Sequence, residues 1–225
     1  MIQPLQSLQG MGMTSPRTRE RMINRLMDQG IGNDKVLNAL RNTPRHIFMD
    51  EALNSRAYED ISLPIGYHQT ISQPYIVAKM TELLLGSAQR LTKVLEIGTG
   101  CGYQTAILSQ FADHVYSVER IAALQKKAKE RLWTLKTRNV MYSNHDGHFG
   151  WPEHARYDGI LVSAAPPEIP EMLLQQMAIG GVMIIPIGNA DKQQLHRITR
   201  TQNGYHVEKL ESVMFVPFLS GLNQD

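Results

Sequence analysis

Three glycines at alternate positions, Gly98, Gly100 and Gly102, follow the apolar run Val94-Leu95-Glu96-Ile97 and precede the stretch Tyr103 to Leu108. Glycine has no Cβ to clash and tolerates positive φ, so a glycine turn between a strand and a helix lets backbone amides approach a ligand. A second apolar run, Val115 to Val118, ends in Glu119, twenty-one residues beyond Gly98. An acid at that offset in a βαβ unit accepts hydrogen bonds from ribose hydroxyls. The combination predicts a nucleoside site. It disfavours a dinucleotide, whose G-x-G-x-x-G fingerprint needs glycine where the chain has Tyr103. Glycines at such a turn also occur in folds that bind nothing there; the flanking strand and helix, with Glu119 in register, favour the ligand site.

Such a site has to be held by a sheet. Strands are expected at 94–97, 115–118, 139–142, 159–162 and 182–187, alternating with helices at 103–111, 121–136 and 170–178, which predicts a Rossmann-like doubly wound parallel α/β sheet. LHRITR at 195–200, the turn Asn203-Gly204 and YHVEKLESVMFVPF suggest a C-terminal antiparallel hairpin on the sheet edge. Upstream, Ser15-Pro16 reads as an N-cap and first helical position before a stripe of Met22, Ile23, Leu26 and Met27, and Asn33 as the cap of a second helix. Pro74 opens a further helix leading to Val94. The stretch 43–73 has little periodicity and is long for a loop, so it is read as functional. One domain is expected over 1–225: a flexible start at 1–15, N-terminal helices and a lid at 16–75, and the α/β core with its hairpin at 76–225.

Composition narrows the function. The 225 residues are 42% hydrophobic and 20% charged with a formal net charge of +2, so no polyanion partner is implied. One cysteine, Cys101, precludes an internal disulfide and fits a reducing compartment. The first fifteen residues lack the basic and apolar regions of a signal peptide, and no apolar run approaches membrane-spanning length. The expectation is a cytoplasmic monomer with no nucleic-acid or membrane partner. Neither G-x-S-x-G, H-E-x-x-H nor Cys/His at metal spacing occurs, and no metal is assigned.

G-x-G-x-G with a ribose acid resembles the first motif of S-adenosylmethionine-dependent methyltransferases, in which the helix N-terminus would face an amino-acid carboxylate. Within that class the chain resembles the protein-L-isoaspartate (D-aspartate) O-methyltransferase family. The likeness rests on GYHQTISQPYIVAKMTELL at 66–84, VLEIGTGCGYQTAIL at 94–108, VYSVER at 115–120, YDGILVSAAPPEIP at 157–170, LLQQMAIGGVMIIPIG at 173–188 and FVP near the end, and covers roughly residues 20–220.

The resemblance implies transfer of the methyl of S-adenosyl-L-methionine to the α-carboxyl of L-isoaspartyl residues, with D-aspartyl acceptors left open. The ester would then collapse to a succinimide whose hydrolysis returns some aspartate. It further implies that Gly98, Gly100 and Gly102 line the methionine part of the cofactor and Glu119 holds the ribose. Asp146-Gly147 would lie beside adenine, and Thr70, Ile71, Ser72 and Gln73 would cover the cofactor, with Ser72 against the accepting carboxylate. Glu96, Thr99 and Arg120 complete the implied cofactor set. The chain departs from the family at His68 and His145, where glycine is usual.

An α-carboxylate is ionised at neutral pH and needs no general base, which agrees with the missing nucleophile-activating motifs. What remains for the protein is orientation in a dry site. Plainer readings stand beside these: Ser72 as a helix cap, Asp146-Gly147 as an ordinary turn, the basic run 126–138 as a solvated face, and Cys101 as a thiol with no partner base. A methyltransferase acting on RNA or a small molecule, and a binding module that has lost catalysis, are the competing functions. The first is disfavoured by the low charge and 7% aromatic content, the second by the intact Ser72, Glu119 and Asp146.

Overall fold

The computed structural model describes residues 10–223. Ser15 accepts from the Thr18 amide and Pro16 takes the first position of α1 (Pro16–Asp28). Asn33 Oδ1 accepts from the Lys35 and Val36 amides at 3.0 and 3.2 Å to open α2 (Asp34–Asn42). Met22, Ile23 and Leu26 are fully buried, but Met27 is 53% exposed, so the apolar stripe of α1 is narrower than its sequence suggests. The expected flexible start falls mostly on residues 1–9, outside the described residues, and Gly12–Thr14 form a 3-10 turn.

The region without periodicity is structured. Two 3-10 turns, Arg45–Phe48 and Glu51–Arg56, lead into an antiparallel hairpin of β1 (Leu63–Gly66) and β2 (Gln69–Ile71). Its tip is Tyr67-His68, with φ of 53° and 55°. Positive φ at both central residues is the geometry that two-residue hairpin turns require, and glycine or asparagine adopts it most easily. Neither stands here, and His68 carries the strain of a side chain in that region.

Beyond the hairpin run α3 (Pro74–Leu85), β3 (Leu91–Ile97), α4 (Tyr103–Leu108), β4 (Ala112–Val118), α5 (Ala122–Thr134), β5 (Val140–Ser143), β6 (Tyr157–Val162), α6 (Glu171–Gln175), β7 (Met177–Gly188), β8 (Gln193–Thr201) and β9 (Gly204–Val213). They form a seven-stranded sheet in the order β5-β4-β3-β6-β7-β8-β9. The first five strands are parallel, and β8 and β9 add antiparallel at one edge as expected.

Successive side chains point to opposite faces of a strand. Val94, Val115, Leu161 and Ile184 accordingly join the core beneath α1 to α4, while Leu95, Tyr116, Ile160 and Met183 pack on the other face. The expected helix at 170–178 is shorter, because Met177 already pairs with Tyr157 as the start of β7 and the Gln176 side chain, bonded to the Phe149 carbonyl and the Trp151 amide, ends α6. Chain order reverses between β3 and β6, which opens a crevice beyond their carboxyl ends. No helix among the described residues is long and apolar enough to cross a membrane.

Candidate active site

At that crevice lies a cleft of about 680 Å³ whose walls include Ile65, Ile97, Val118, Ile121 and Phe218. Gly98 and Gly100 form its floor with φ of 93° and 53°. Glu119 is the buried charge of the wall, 6% exposed; its Oε2 accepts from the Gly100 amide at 2.7 Å and its Oε1 from the Ile121 amide at 2.9 Å. Burial raises this carboxyl above its ordinary range, against the pull of those two amides and that of Arg120. Each oxygen keeps a lone pair for a further donor.

A second chamber of about 980 Å³ adjoins the cleft and shares Thr70, Ser72, Ser163 and Val216 with it. Ser72 stands at the boundary of the two. It does not cap α3, whose N-cap is Gln73 with no side-chain cap bond, so the helix-cap reading of Ser72 lacks its hydrogen bond.

The remaining expected site residues separate into those at the cavity and those behind it. Thr70, Arg120 and Gly147 line the cleft, and Gln73 lines the second chamber. Ile71 is buried in the core. Gly102, at φ 91°, faces α5: a Cβ there would lie 3.1 Å from that of Ala128 and 3.3 Å from Leu132 Cδ1, so this glycine serves helix packing. Glu96 and Thr99 lie beneath the glycine turn in a buried network. Thr105 Oγ1 and Ser117 Oγ donate to Glu96 Oε2 at 2.6 and 2.5 Å, and Thr99 Oγ1 lies 2.6 Å from Ser117 Oγ.

Asp146 adjoins Gly147, which lines the cleft. Its Oδ1 accepts from the amide and ring of His148 at 2.9 and 2.8 Å, and its Oδ2 from the Gly221 amide at 2.6 Å. Burial opposes ionisation here, but these bonds outweigh it and hold the carboxyl below its ordinary value. His145 is likewise a brace, its ring bonding Ser143 Oγ and the Gly150 carbonyl. Burial pushes the Cys101 thiol up, away from the ionised form.

Sequence reasoning missed one wall. After β9 the chain crosses the cleft: Ala165 N donates to the Val216 carbonyl at 2.9 Å, Phe218 N donates back to Ala165 at 3.0 Å, and the Phe218 ring stacks on His148 with centroids 4.1 Å apart. Arg120 Nε bonds the Gly221 carbonyl at 2.8 Å and Asn223 N the Arg120 carbonyl at 3.1 Å, tying this strap to the chain just after β4. Of this wall the sequence offers only the short motif FVP at 215–217.

An apolar slot ending in a buried carboxylate with spare lone pairs fits a flat base and a vicinal diol, so the residues present fit S-adenosyl-L-methionine. Comparison with known proteins points the same way. Residues 17–223 match the family model described as Protein-L-isoaspartate(D-aspartate) O-methyltransferase. The protein-L-isoaspartate O-methyltransferase of Cellvibrio japonicus is 59% identical over 217 residues, covering 95% of this chain and 96% of its own. That of Pseudomonas paraeruginosa is 57% identical over 209 residues, covering 93% and 99%. Among solved structures, a protein-L-isoaspartate O-methyltransferase superposes with a TM-score of 0.79 at 29% identity over 88% of this chain and 65% of that longer one. A β-aspartate methyltransferase from Plasmodium falciparum, in complex with S-adenosyl-L-homocysteine, superposes with a TM-score of 0.78 at 25% identity, covering 89% of this chain and 98% of that one.

Proposed function

The chain belongs to the protein-L-isoaspartate(D-aspartate) O-methyltransferase family, and from that premise we propose that it is a repair enzyme that methylates the free α-carboxylate of L-isoaspartyl residues in damaged proteins and peptides. The products are a methyl ester and S-adenosylhomocysteine. S-adenosyl-L-methionine supplies an electrophilic methyl carbon when bound. Glu119 accepts from the ribose, Gly98 and Gly100 keep the floor clear, and Gly147 lets the chain pass close: a Cβ there would meet Ile97 Cγ2 at 2.5 Å.

The observation that carries the reading is the place of Ser72, a neutral hydroxyl on the boundary between the cleft that Glu119 lines and a second chamber. From there it donates to one oxygen of an acceptor carboxylate and leaves the other oxygen's lone pairs free to attack. A cation at that position would stabilise the ground state as much as the transition state, which does not accelerate transfer. Apolar walls exclude water, and opposite charges neutralise each other as the methyl moves, so a dry cleft favours transfer. The single described cysteine is free and buried, in keeping with a reducing compartment, and we place the protein in the cytoplasm as a monomer. Tritiated-methyl transfer to an isoaspartyl peptide, compared with its normal-aspartyl twin, tests the assignment: label is expected on the first alone. Equal labelling of both, or of neither, overturns it.

A further inference from the structure

The second chamber carries one charge among its described lining residues, and it is negative. Glu211 of β9 lines it together with Ser72, Gln73 and Tyr75, the other residues of the wall being neutral. Two features show how the carboxylate comes to face the chamber. Gln194 pairs with Ser212 and His196 with Lys209, so two steps along β8 match three along β9, and Leu210-Glu211 together oppose Leu195. That extra residue is a β-bulge, a device that re-aims a side chain and recurs beside active sites. The Leu210 carbonyl freed by it accepts from Gln194 Nε2 at 2.9 Å.

The second feature is a clamp. The Tyr75 hydroxyl donates to both oxygens of Glu211, at 3.0 and 3.2 Å. Burial and this carboxylate together push the phenol up to about 12, so it remains a donor. No ion pair among the described residues neutralises Glu211, and the other charges that bear on Tyr75, Glu82 and Asp60, are also negative.

An oriented carboxylate with no protein cation, in a chamber that must admit an anionic acceptor, lacks a positive partner that the substrate itself can bring. We propose that Glu211, held by Tyr75, is a specificity residue for the peptide: it favours acceptors with a lysine or arginine side chain near the isoaspartyl residue and rejects those with an acidic neighbour. This rests on the acceptor reading of the chamber given above. The chamber is open to solvent and screened, so the preference is moderate, about three- to tenfold between a basic and an acidic neighbour, and it resides in KM, not in kcat.

The test uses isoaspartyl peptides that differ only in one residue, lysine, glutamine or glutamate, placed in turn at each of the two positions on either side of the acceptor. The intact enzyme should rank them lysine, glutamine, glutamate in KM at one position or more, and the spread should shrink as salt is raised. In Glu211→Gln the lysine-to-glutamate ratio should collapse toward one, and in Tyr75→Phe it should fall part of the way. A ratio of one in the unsubstituted enzyme at every position, or one that survives in Glu211→Gln, overturns the inference. If Glu211→Gln does not fold, a ratio in the unsubstituted enzyme that is indifferent to salt overturns it equally. Failure of the acceptor reading looks different: the glutamine peptide would then take no methyl at all.

Discussion

The Gly100 and Ile121 amides that hold the Glu119 carboxylate in place leave a lone pair on each oxygen, which the proposed function gives to ribose. Glu119→Ala therefore removes the diol acceptor and frees the glycine turn together. Titration calorimetry should show S-adenosyl-L-methionine binding weakened by about 2–3 kcal/mol, the scale of hydrogen bonds to a charged group. Unchanged affinity would rule out the ribose role. Ser72 makes a different forecast because it does not cap α3. Ser72→Ala should lower single-turnover methyl transfer by about one to two powers of ten, the loss of one hydrogen bond in the transition state. Melting temperature and cofactor affinity should hardly move. A less stable protein with a normal rate would instead restore the capping role, worth about 1 kcal/mol.

At the scale of elements, the β1–β2 hairpin is the candidate lid. Its inner residues Ile65, Gln69 and Thr70 face the cleft, while its tip is an exposed turn at positive φ. Amide exchange across residues 63–73 should slow when S-adenosyl-L-methionine binds, and equal exchange with and without it would remove the lid role. The hairpin also marks where sequence reading stops. The glycine turn and Glu119 were legible because strand, turn, helix and acid are local and fixed in spacing. So was the parallel core, since its strands alternate with helices. Three glycines of one motif could not be told apart, however: Gly98 and Gly100 floor the cleft while Gly102 seats α5, a difference made by a helix some twenty-six residues away at Ala128. Likewise, nothing local marks residues 214–223 as a strap, because its bonds run from backbone to distant partners at Ala165, Arg120 and Asp146. The β9 bulge that aims Glu211 is a matter of register, which no single strand encodes.

For the whole molecule, the network beneath the glycine turn couples folding to pH. Glu96 is fully buried on the face of β3 that meets α4, and Oε1 of its carboxyl has no partner among the described residues. Burial raises its pKa to about 7; the Ser117 and Thr105 hydroxyls oppose that rise and the charge of Glu119 adds to it. In the unfolded chain the ordinary value is 4.5. The folded state thus binds this proton more tightly, so the stability it confers is fully present below about pH 4.5 and is lost as pH rises through about 7, a span of about 3 kcal/mol. Glu119, also raised by burial, acts with the same sign. Asp146 acts with the opposite sign, but its carboxyl is lowered from 3.8, so its contribution is complete above that value and constant near neutrality. Calorimetric melting should therefore show the protein losing stability from pH 6 to pH 8.5. Glu96→Gln keeps an acceptor for the two hydroxyls and has no proton to lose; its amide leaves a buried donor unpaired, which lowers stability at pH 6 but adds no pH dependence. Its slope over the same range should be shallower than that of the unsubstituted protein, with the residue due to Glu119, whereas parallel slopes would mean that Glu96 is ionised in the fold throughout.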